Sequence, residues 1–259
     1  MPLFGLAPTE WQAVQLSLLV AFWASLLSLP LAVLVAYALA RWQFWGRQLL
    51  NICVHLPLIL PPVVTGYVLL LVFGQTAPVG RFLNDTFGIV LAFRWTGAVL
   101  AAAVMAFPLM VRAIRLAIEA VDPKLEQAAT TLGAGPIRVF LTITVPMMAP
   151  GLVAGVVLAF AKAMGEFGAT ITFVANIPGQ TQTLPSAIYA FLQVPGGDAS
   201  AVRLLVLPAF ISVLALALSE WMARRGALCM AQANDAFFRS QSFRRRFQSC
   251  AQISGSQRR

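Results

Sequence analysis

The chain has 259 residues, of which 59% are hydrophobic and only 10% are Asp, Glu, Lys or Arg. A soluble globular protein has roughly 25% charged residues, so the composition excludes an ordinary soluble domain. The mean hydropathy of +0.82 comes from apolar blocks that are long enough to cross a bilayer core of about 30 Å. The sequence therefore predicts an all-α, polytopic membrane protein.

Five apolar blocks predict membrane spans, each with at least the roughly 20 residues that a spanning helix needs. In chain order, we expect spans near residues 12–40, 49–73, 96–118, 147–174 and 203–222. The first block ends in Ala38-Leu39-Ala40, which imitates a signal-peptide cleavage site, but its apolar run far exceeds a signal core of about 7–15 residues. We expect it to remain as a span that is tilted or bent at Pro30.

The basic residues predict an orientation, because Lys and Arg are enriched in cytoplasmic loops. Three regions collect them, at Arg41, Arg47, Arg112, Arg115, Lys124, Arg138, Arg224 and Arg225. By contrast, the loop between spans two and three holds only Arg81 and Arg94, and residues 175–202 hold no cation. We therefore expect the N-terminus outside and the C-terminus in the cytoplasm.

The net charge of +9 is concentrated at the C-terminal end. Residues 224–259 carry eight Arg and one Asp, a balance of +7, which leaves +2 for residues 1–223. This division predicts a transmembrane domain over residues 1–225 and a basic, disordered cytoplasmic tail over residues 226–259. Weak contact with anionic lipid is an alternative for the tail, whereas the absence of a folded recognition module argues against nucleic-acid binding.

The sequence lacks the residue patterns of an enzyme. It has one histidine, His55, no Gly-Lys dipeptide of a Walker A phosphate loop and no Gly-x-Ser-x-Gly pattern. Its three cysteines have no metal-binding spacing. We predict no catalytic residue, no metal site and no cofactor bound by this chain.

The second predicted span contains three prolines that a regular helix does not accommodate. Pro57, Pro61 and Pro62 remove backbone donors and predict a broken helix. Broken helices are tolerated within a membrane where they are buried in protein or line a polar cavity. Pro61, Pro62 and Thr65 are therefore candidates for a translocation path, and a simple packing kink is the alternative.

Two ionisable residues, Lys162 and Glu166, lie four residues apart in the fourth predicted span. Charges inside a span are costly unless they are paired or face a wet cavity, and this spacing puts both on one helix face, close enough to pair. With Thr170 they are further candidates for the path, while Gly165 and Gly168 would allow close helix approach or a hinge. A structural ion pair that only fixes helix packing is the alternative.

A small polar segment, DPKLEQAATTLGAGP, separates spans three and four. Asp122 fits an N-cap and Pro123 fits the first helical position, and the glycines from Gly133 to Gly135 fit a helix end. We expect a short cytoplasmic helix whose small residues, Ala128 and Ala129, allow another protein to approach closely. An ordinary loop helix is the alternative.

This segment and the residues after it contain Gln127-Ala128-Ala129, followed at fixed spacing by Gly133 and then by Ile143, Val145 and Pro146. The pattern resembles the EAA motif of ATP-binding-cassette importer permeases. Gln127 replaces the glutamate of the motif, with Glu126 one residue ahead, and Val145 replaces a leucine. The resemblance implies that this helix, within a coupling region of about residues 119–146, inserts into a cleft on a separate ATPase. It assigns coupling to Glu126, Gln127, Ala128, Ala129, Leu132 and Gly133.

Longer stretches are similar to the molybdate permeases, relatives of the sulfate permeases, over about residues 9–225. They are LPLILPPVVTGYVLL, AMGEFGATITFVANIPGQTQTLPSAIYAFLQVPGGDASA and ALSEWMARR. This resemblance implies a molybdate importer permease in the bacterial inner membrane, with two permease copies, two ATP-hydrolysing subunits and an extracytoplasmic oxyanion-binding protein. A sulfate or tungstate permease is an alternative, as is a secondary carrier, which usually has internal repeats that we do not find here.

Overall fold

The computed structural model describes residues 7–197, 200–206, 208–210, 213–214, 217 and 221. In this part of the chain the regular secondary structure is helical. In chain order the elements are α1 (Pro8–Arg41), α2 (Arg47–Ile59), α3 (Pro62–Phe73), α4 (Pro78–Phe87), α5 (Trp95–Glu119), α6 (Pro123–Thr131), α7 (Pro136–Val139), a π-helical turn (Phe140–Thr144), α8 (Val145–Met164), α9 (Gly168–Val174) and α10 (Leu184–Leu192).

Three helical runs in the described residues are long and apolar enough to cross a membrane. They are α1, α5 and the continuous run Pro136–Met164. A fourth candidate is the pair α2 and α3, which is bent by 115° at its break. The last of the five expected spans, 203–222, is described only in part: a shorter apolar helix covers Ser200–Phe210, and nine residues of the span lie outside the described residues. The described part of the chain therefore has three spans, or four if the bent pair is one span.

The break between α2 and α3 confirms the expected effect of Pro61 and Pro62, whereas Pro57 lies inside α2 and does not end it. Leu60 and Pro61 are extended, with ψ angles of 144° and 134°. Each precedes a proline, whose ring disfavours the helical conformation for the residue before it. Pro62 then occupies the first position of α3, where its missing N–H is not needed.

The extent of the fourth predicted span, 147–174, is wrong at both ends. Its helical run starts at Pro136 and stops at Met164, and α9 begins only at Gly168. The run also contains the π-helical turn, in which the N–H of Val145 donates to the carbonyl of Phe140, five residues earlier. The apolar composition of the sequence resumes after residues 165–167 and so suggested one continuous span. The backbone nevertheless leaves the helix at Gly165, where φ is −93° and ψ is 7°.

Small side chains form the core where α1, α5 and α8 pack together. The buried alanines include Ala21, Ala24, Ala32, Ala98, Ala101, Ala102 and Ala106. On α8, Gly151 and Gly155 face α5 so closely that a Cβ atom at Gly151 would collide with Ala117. Membrane helices gain packing contact without a hydrophobic driving force when small residues let their backbones approach closely. The packed unit of α1, α5 and α8 therefore forms the frame that supports the coupling helix and the candidate translocation path.

Candidate coupling helix and translocation path

The α6 helix has the ends that its sequence predicts. The Asp122 carboxylate accepts a hydrogen bond from the N–H of Lys124 at 2.9 Å, and Pro123 is the first helical residue. At the other end, Gly133 has a φ of +85°. The N–H of Gly133 donates to Thr130 and the N–H of Ala134 donates to Ala129, a Schellman arrangement that satisfies the last carbonyls. The expected N-cap and left-handed glycine are confirmed.

Most of the residues assigned to ATPase coupling contribute to an open surface of α6 and its C-terminal end. Gln127 and Ala128 are exposed, Leu132 is 88% exposed, and Ala129 is half-buried. No residue of α6 itself is buried. An exposed leucine beside small side chains is a surface that a partner protein can cover closely.

Glu126 does not lie on this open surface. Its Oε1 accepts hydrogen bonds from Arg41 Nη2 at 3.1 Å and from Thr144 Oγ1 at 2.9 Å, and its side chain is only 17% exposed. Adjacent helical residues point about 100° apart, so Glu126 and Gln127 belong to different faces. The resemblance to the EAA motif placed both residues in the coupling set, and no pattern in the sequence points to Arg41 or Thr144 as partners of Glu126.

The two broken segments meet where α3 and α9 begin. A Cβ atom at Gly66 would lie 2.5 Å from the carbonyl oxygen of Ala169, and one at Gly168 would lie 2.7 Å from Cβ of Pro62. Such distances leave no room for a side chain, so the helices touch backbone to backbone. This contact, named here the α3–α9 crossing, brings the proline break close to the glycines that were expected to allow close approach.

Lys162 and Glu166 form an ion pair beside this crossing, with Nζ and Oε2 2.7 Å apart. They are not on one continuous helix, as their spacing suggested, because α8 ends at Met164. The second oxygen, Oε1 of Glu166, accepts a hydrogen bond from the N–H of Ala169 at 3.1 Å. Glu166 therefore holds the start of α9 as well as the ammonium group, and only 2% of its side chain is exposed, against 30% for Lys162.

Two hydroxyl groups complete the set of path candidates. Thr65 and Thr170 are both buried, on α3 and α9 respectively. The Oγ1 atom of Thr65 has no hydrogen-bond partner among the described residues, and a buried polar atom without a partner is uncommon. The structure thus places Pro62 and Thr65 on α3 and Thr170 on α9, two helices in contact, with Glu166 just before α9 and Lys162 at the end of α8.

Comparison with known families identifies the class of protein. Residues 28–226 match the model of the family described as binding-protein-dependent transport system inner membrane component, and the chain belongs to that family. It is therefore a multi-pass transport component of an inner membrane, as the resemblance implied.

Solved structures show the same fold. The inward-facing methionine ABC transporter MetNI aligns with a TM-score of 0.61 at 16% identity, covering 84% of this chain and 94% of that chain. A bacterial alginate ABC transporter, solved in complex with an alginate pentasaccharide-bound periplasmic protein, aligns with a TM-score of 0.62 at 18% identity, covering 83% and 77%. The expected fold of an ABC transporter permease is confirmed.

Curated relatives are much more similar in sequence. The molybdenum transport system permease protein ModB of Escherichia coli K12 is 58% identical over 219 residues, which are 85% of this chain and 96% of that protein. ModB of Haemophilus influenzae is 52% identical, with 88% and 99% covered. The sulfate transport system permease protein CysT of Salmonella typhimurium is 36% identical, with 72% and 67% covered.

Proposed function

We propose that this chain is the membrane-spanning subunit of an ATP-driven importer of molybdate. The observation that carries the proposal is the 58% identity to ModB of Escherichia coli over 96% of that protein. The sulfate relative, at 36% identity, supports the wider class of tetrahedral oxyanions but is the more distant match. A sulfate or tungstate permease is thus the second candidate.

In this proposal the chain hydrolyses no ATP and binds no cofactor. Two copies assemble with two ATPase subunits, and the open surface of α6, around Ala128 and Leu132, enters a cleft on each ATPase. An extracytoplasmic binding protein delivers the oxyanion from the other side. The exposure of Leu132, at 88%, supports a covered surface here, because an exposed leucine of this kind gains by burial in a complex.

The path for the anion, in the same proposal, runs beside the α3–α9 crossing. Lys162 is the more exposed member of its ion pair, so a passing dianion meets the ammonium group before it meets the carboxylate of Glu166. The unpartnered hydroxyl of Thr65 has a free hydrogen to donate to an oxyanion. Ionisable and polar groups within spans commonly mark such paths.

Reconstitution tests the cargo. The purified chain is combined in liposomes with its ATPase and its binding protein, and uptake of labelled molybdate is measured with and without ATP. We expect ATP-dependent uptake that excess tungstate reduces and excess sulfate leaves nearly unchanged. Sulfate uptake that molybdate does not inhibit would assign the second candidate instead.

Cysteine labelling tests the orientation, with the N-terminus outside and α6 in the cytoplasm. In a cysteine-free background, a cysteine replacing Pro195 should react with an impermeant thiol reagent added outside, and one replacing Ala134, next to the end of α6, should not. Reversed labelling would invert the proposed map.

A further inference from the structure

One carboxylate connects α6 to two of the long helices. Glu126 Oε1 accepts from Arg41 Nη2 and from Thr144 Oγ1. Arg41 is the last residue of α1, and Thr144 is the last residue of the π-helical turn that leads into α8. These three residues, named here the Glu126 junction, therefore bond α6 to the ends of both helices through a single oxygen atom.

The junction is shielded from water. The side chains of Arg41 and Glu126 are 16% and 17% exposed, and Thr144 is 1% exposed. Hydrogen bonds between charged groups are stronger than neutral ones, and a low local dielectric strengthens them further. Removing one partner would also leave the others unsatisfied, so the three groups are expected to behave as a unit.

Neighbouring contacts fix both sides of the junction. Arg41 Nη2 also donates to the carbonyl of Val121 at 2.9 Å, just before α6. One turn earlier on α1, the ring of Tyr37 packs edge-on against Phe140 in the π-helical turn, with centroids 5.0 Å apart. The end of α1 and the start of the α8 run are thus held together at the place where Glu126 enters.

The remaining attachments of α6 are looser. None of its residues is buried, and short non-helical links, 120–122 and 132–135, join it to α5 and α7. A shielded bond between α6 and the spans is therefore found at Glu126. This bond ties α6 to α1 and to the start of the α8 run at the same point.

We propose that Glu126 is a positioning residue that transmits movement of α6 to α1 and α8, and that it does not contact the ATPase. This inference rests on the proposed function for what moves α6. It separates Glu126 from Gln127, Ala128 and Leu132, which face outward. Glu126 should therefore affect how well hydrolysis is converted into transport, not whether the ATPase binds.

The test compares hydrolysis with uptake in the complete reconstituted transporter. Glu126→Gln keeps the shape of the side chain and removes its charge. We expect normal assembly with the ATPase and normal hydrolysis, but about tenfold fewer molybdate ions transported per ATP, the change that loss of a charge-assisted hydrogen bond produces. A matched carboxylate-to-amide control, Asp85→Asn on the exposed side of α4, should leave this ratio unchanged.

Thr144 supplies a second, independent comparison. Thr144→Ser keeps the hydroxyl that donates to Glu126, whereas Thr144→Val has nearly the same shape without it. The serine variant should keep the wild-type ratio and the valine variant should lower it. Because the residues act as a unit, Thr144→Val combined with Glu126→Gln should be no worse than Glu126→Gln alone.

Three results would overturn the inference: an unchanged ratio in Glu126→Gln, equal ratios in the two Thr144 variants, or loss of ATPase binding in Glu126→Gln. A parallel fall in membrane-inserted protein, hydrolysis and uptake would also overturn it, since that is the mark of a purely structural role. Failure of the proposed function would give a different result from failure of this inference. A wild-type complex that imports sulfate but not molybdate would change the cargo, and the variants would then be compared by the number of sulfate ions transported per ATP.

Discussion

The α6 helix and the α3–α9 crossing are attached to the protein by opposite means. At α6 the contact with the spans is a set of directional hydrogen bonds to Glu126, and the rest of the helix is open. At the crossing, backbone touches backbone at Gly66 and Gly168, with no space for a side chain. Polar bonds can be exchanged as a helix shifts, whereas close-packed backbones can only stay together or separate. The first arrangement suits a part that transmits motion, and the second suits a part that must keep its shape or open as a whole.

The crossing should respond most strongly to added bulk. Gly66→Val places Cβ within 2.5 Å of the Ala169 carbonyl, and overpacking of this kind costs about 1–3 kcal/mol or more. We expect little monodisperse protein after detergent extraction, and a lower thermal midpoint for what remains. Gly135→Ala is the matched control, because nothing lies within 4 Å of its added Cβ. A normal elution profile and thermal midpoint for Gly66→Val would show that the α3–α9 crossing is packed less tightly than these distances indicate.

Substitutions on α6 should instead abolish uptake while the protein stays folded in the membrane. Gly133→Val forces a β-branched residue to a φ of +85°, which costs about 1 kcal/mol or more and displaces the helix end. Ala129→Glu adds a charge beside the open surface. Both variants should fail to bind the ATPase in co-purification, with normal amounts of membrane protein. Gly133→Asn is the control, because asparagine tolerates this backbone conformation, and it should retain ATPase binding. Wild-type uptake by both Gly133→Val and Ala129→Glu would contradict docking of the ATPase at α6.

The Lys162–Glu166 pair should give an intermediate effect, because the proposed function puts its charge near the path and the structure makes it a support for α9. Exchanging the two residues puts a lysine, which cannot accept a hydrogen bond, opposite the N–H of Ala169. We expect the exchanged protein to assemble with its ATPase and transport poorly, and Lys162→Arg to keep most of its uptake. Glu166→Gln keeps an acceptor for Ala169 and so separates the two roles. If the exchanged pair transports like wild type, the pair only provides neutrality and the path lies elsewhere.

The smallest effect is expected at the C-terminal end. Truncation after Arg225 removes the 226–259 tail and keeps Arg224 and Arg225, the basic residues that are expected to help fix the proposed orientation. Uptake per unit of membrane protein should be unchanged. Reduced uptake at equal expression would give the tail a role, and binding of the full chain but not the truncated one to anionic vesicles would identify lipid contact.

Features with a local physical cause were predictable from the sequence. The ends of α6 were predictable because Asp122, Pro123 and Gly133 act on their own backbone. The break before Pro62 was predictable for the same reason. The end of α8 at Met164 was missed, because apolar composition continues through residues 165–174 and says nothing about helix continuity.

Long-range partners explain the remaining differences. Glu126 was assigned to the docking surface from its neighbours in sequence, but its direction is set by Arg41, 85 residues away, and by Thr144, 18 residues away. No short pattern contains those contacts. The contact between Gly66 and Ala169 could not be predicted from composition, although close approach was expected at the neighbouring Gly168.

The π-helical turn at Phe140–Thr144 holds an extra residue in the run between α7 and α8. The N–H of Val145 bonds to a carbonyl five residues back, so the turn contains one residue more than an α-helical turn would. Deleting one residue there, such as Leu141, would let the run close as a regular helix with the flanking residues in nearly the same rotational phase. Thr144 would still face Arg41 and Glu126, so the five-residue segment absorbs a change of chain length without a change of direction.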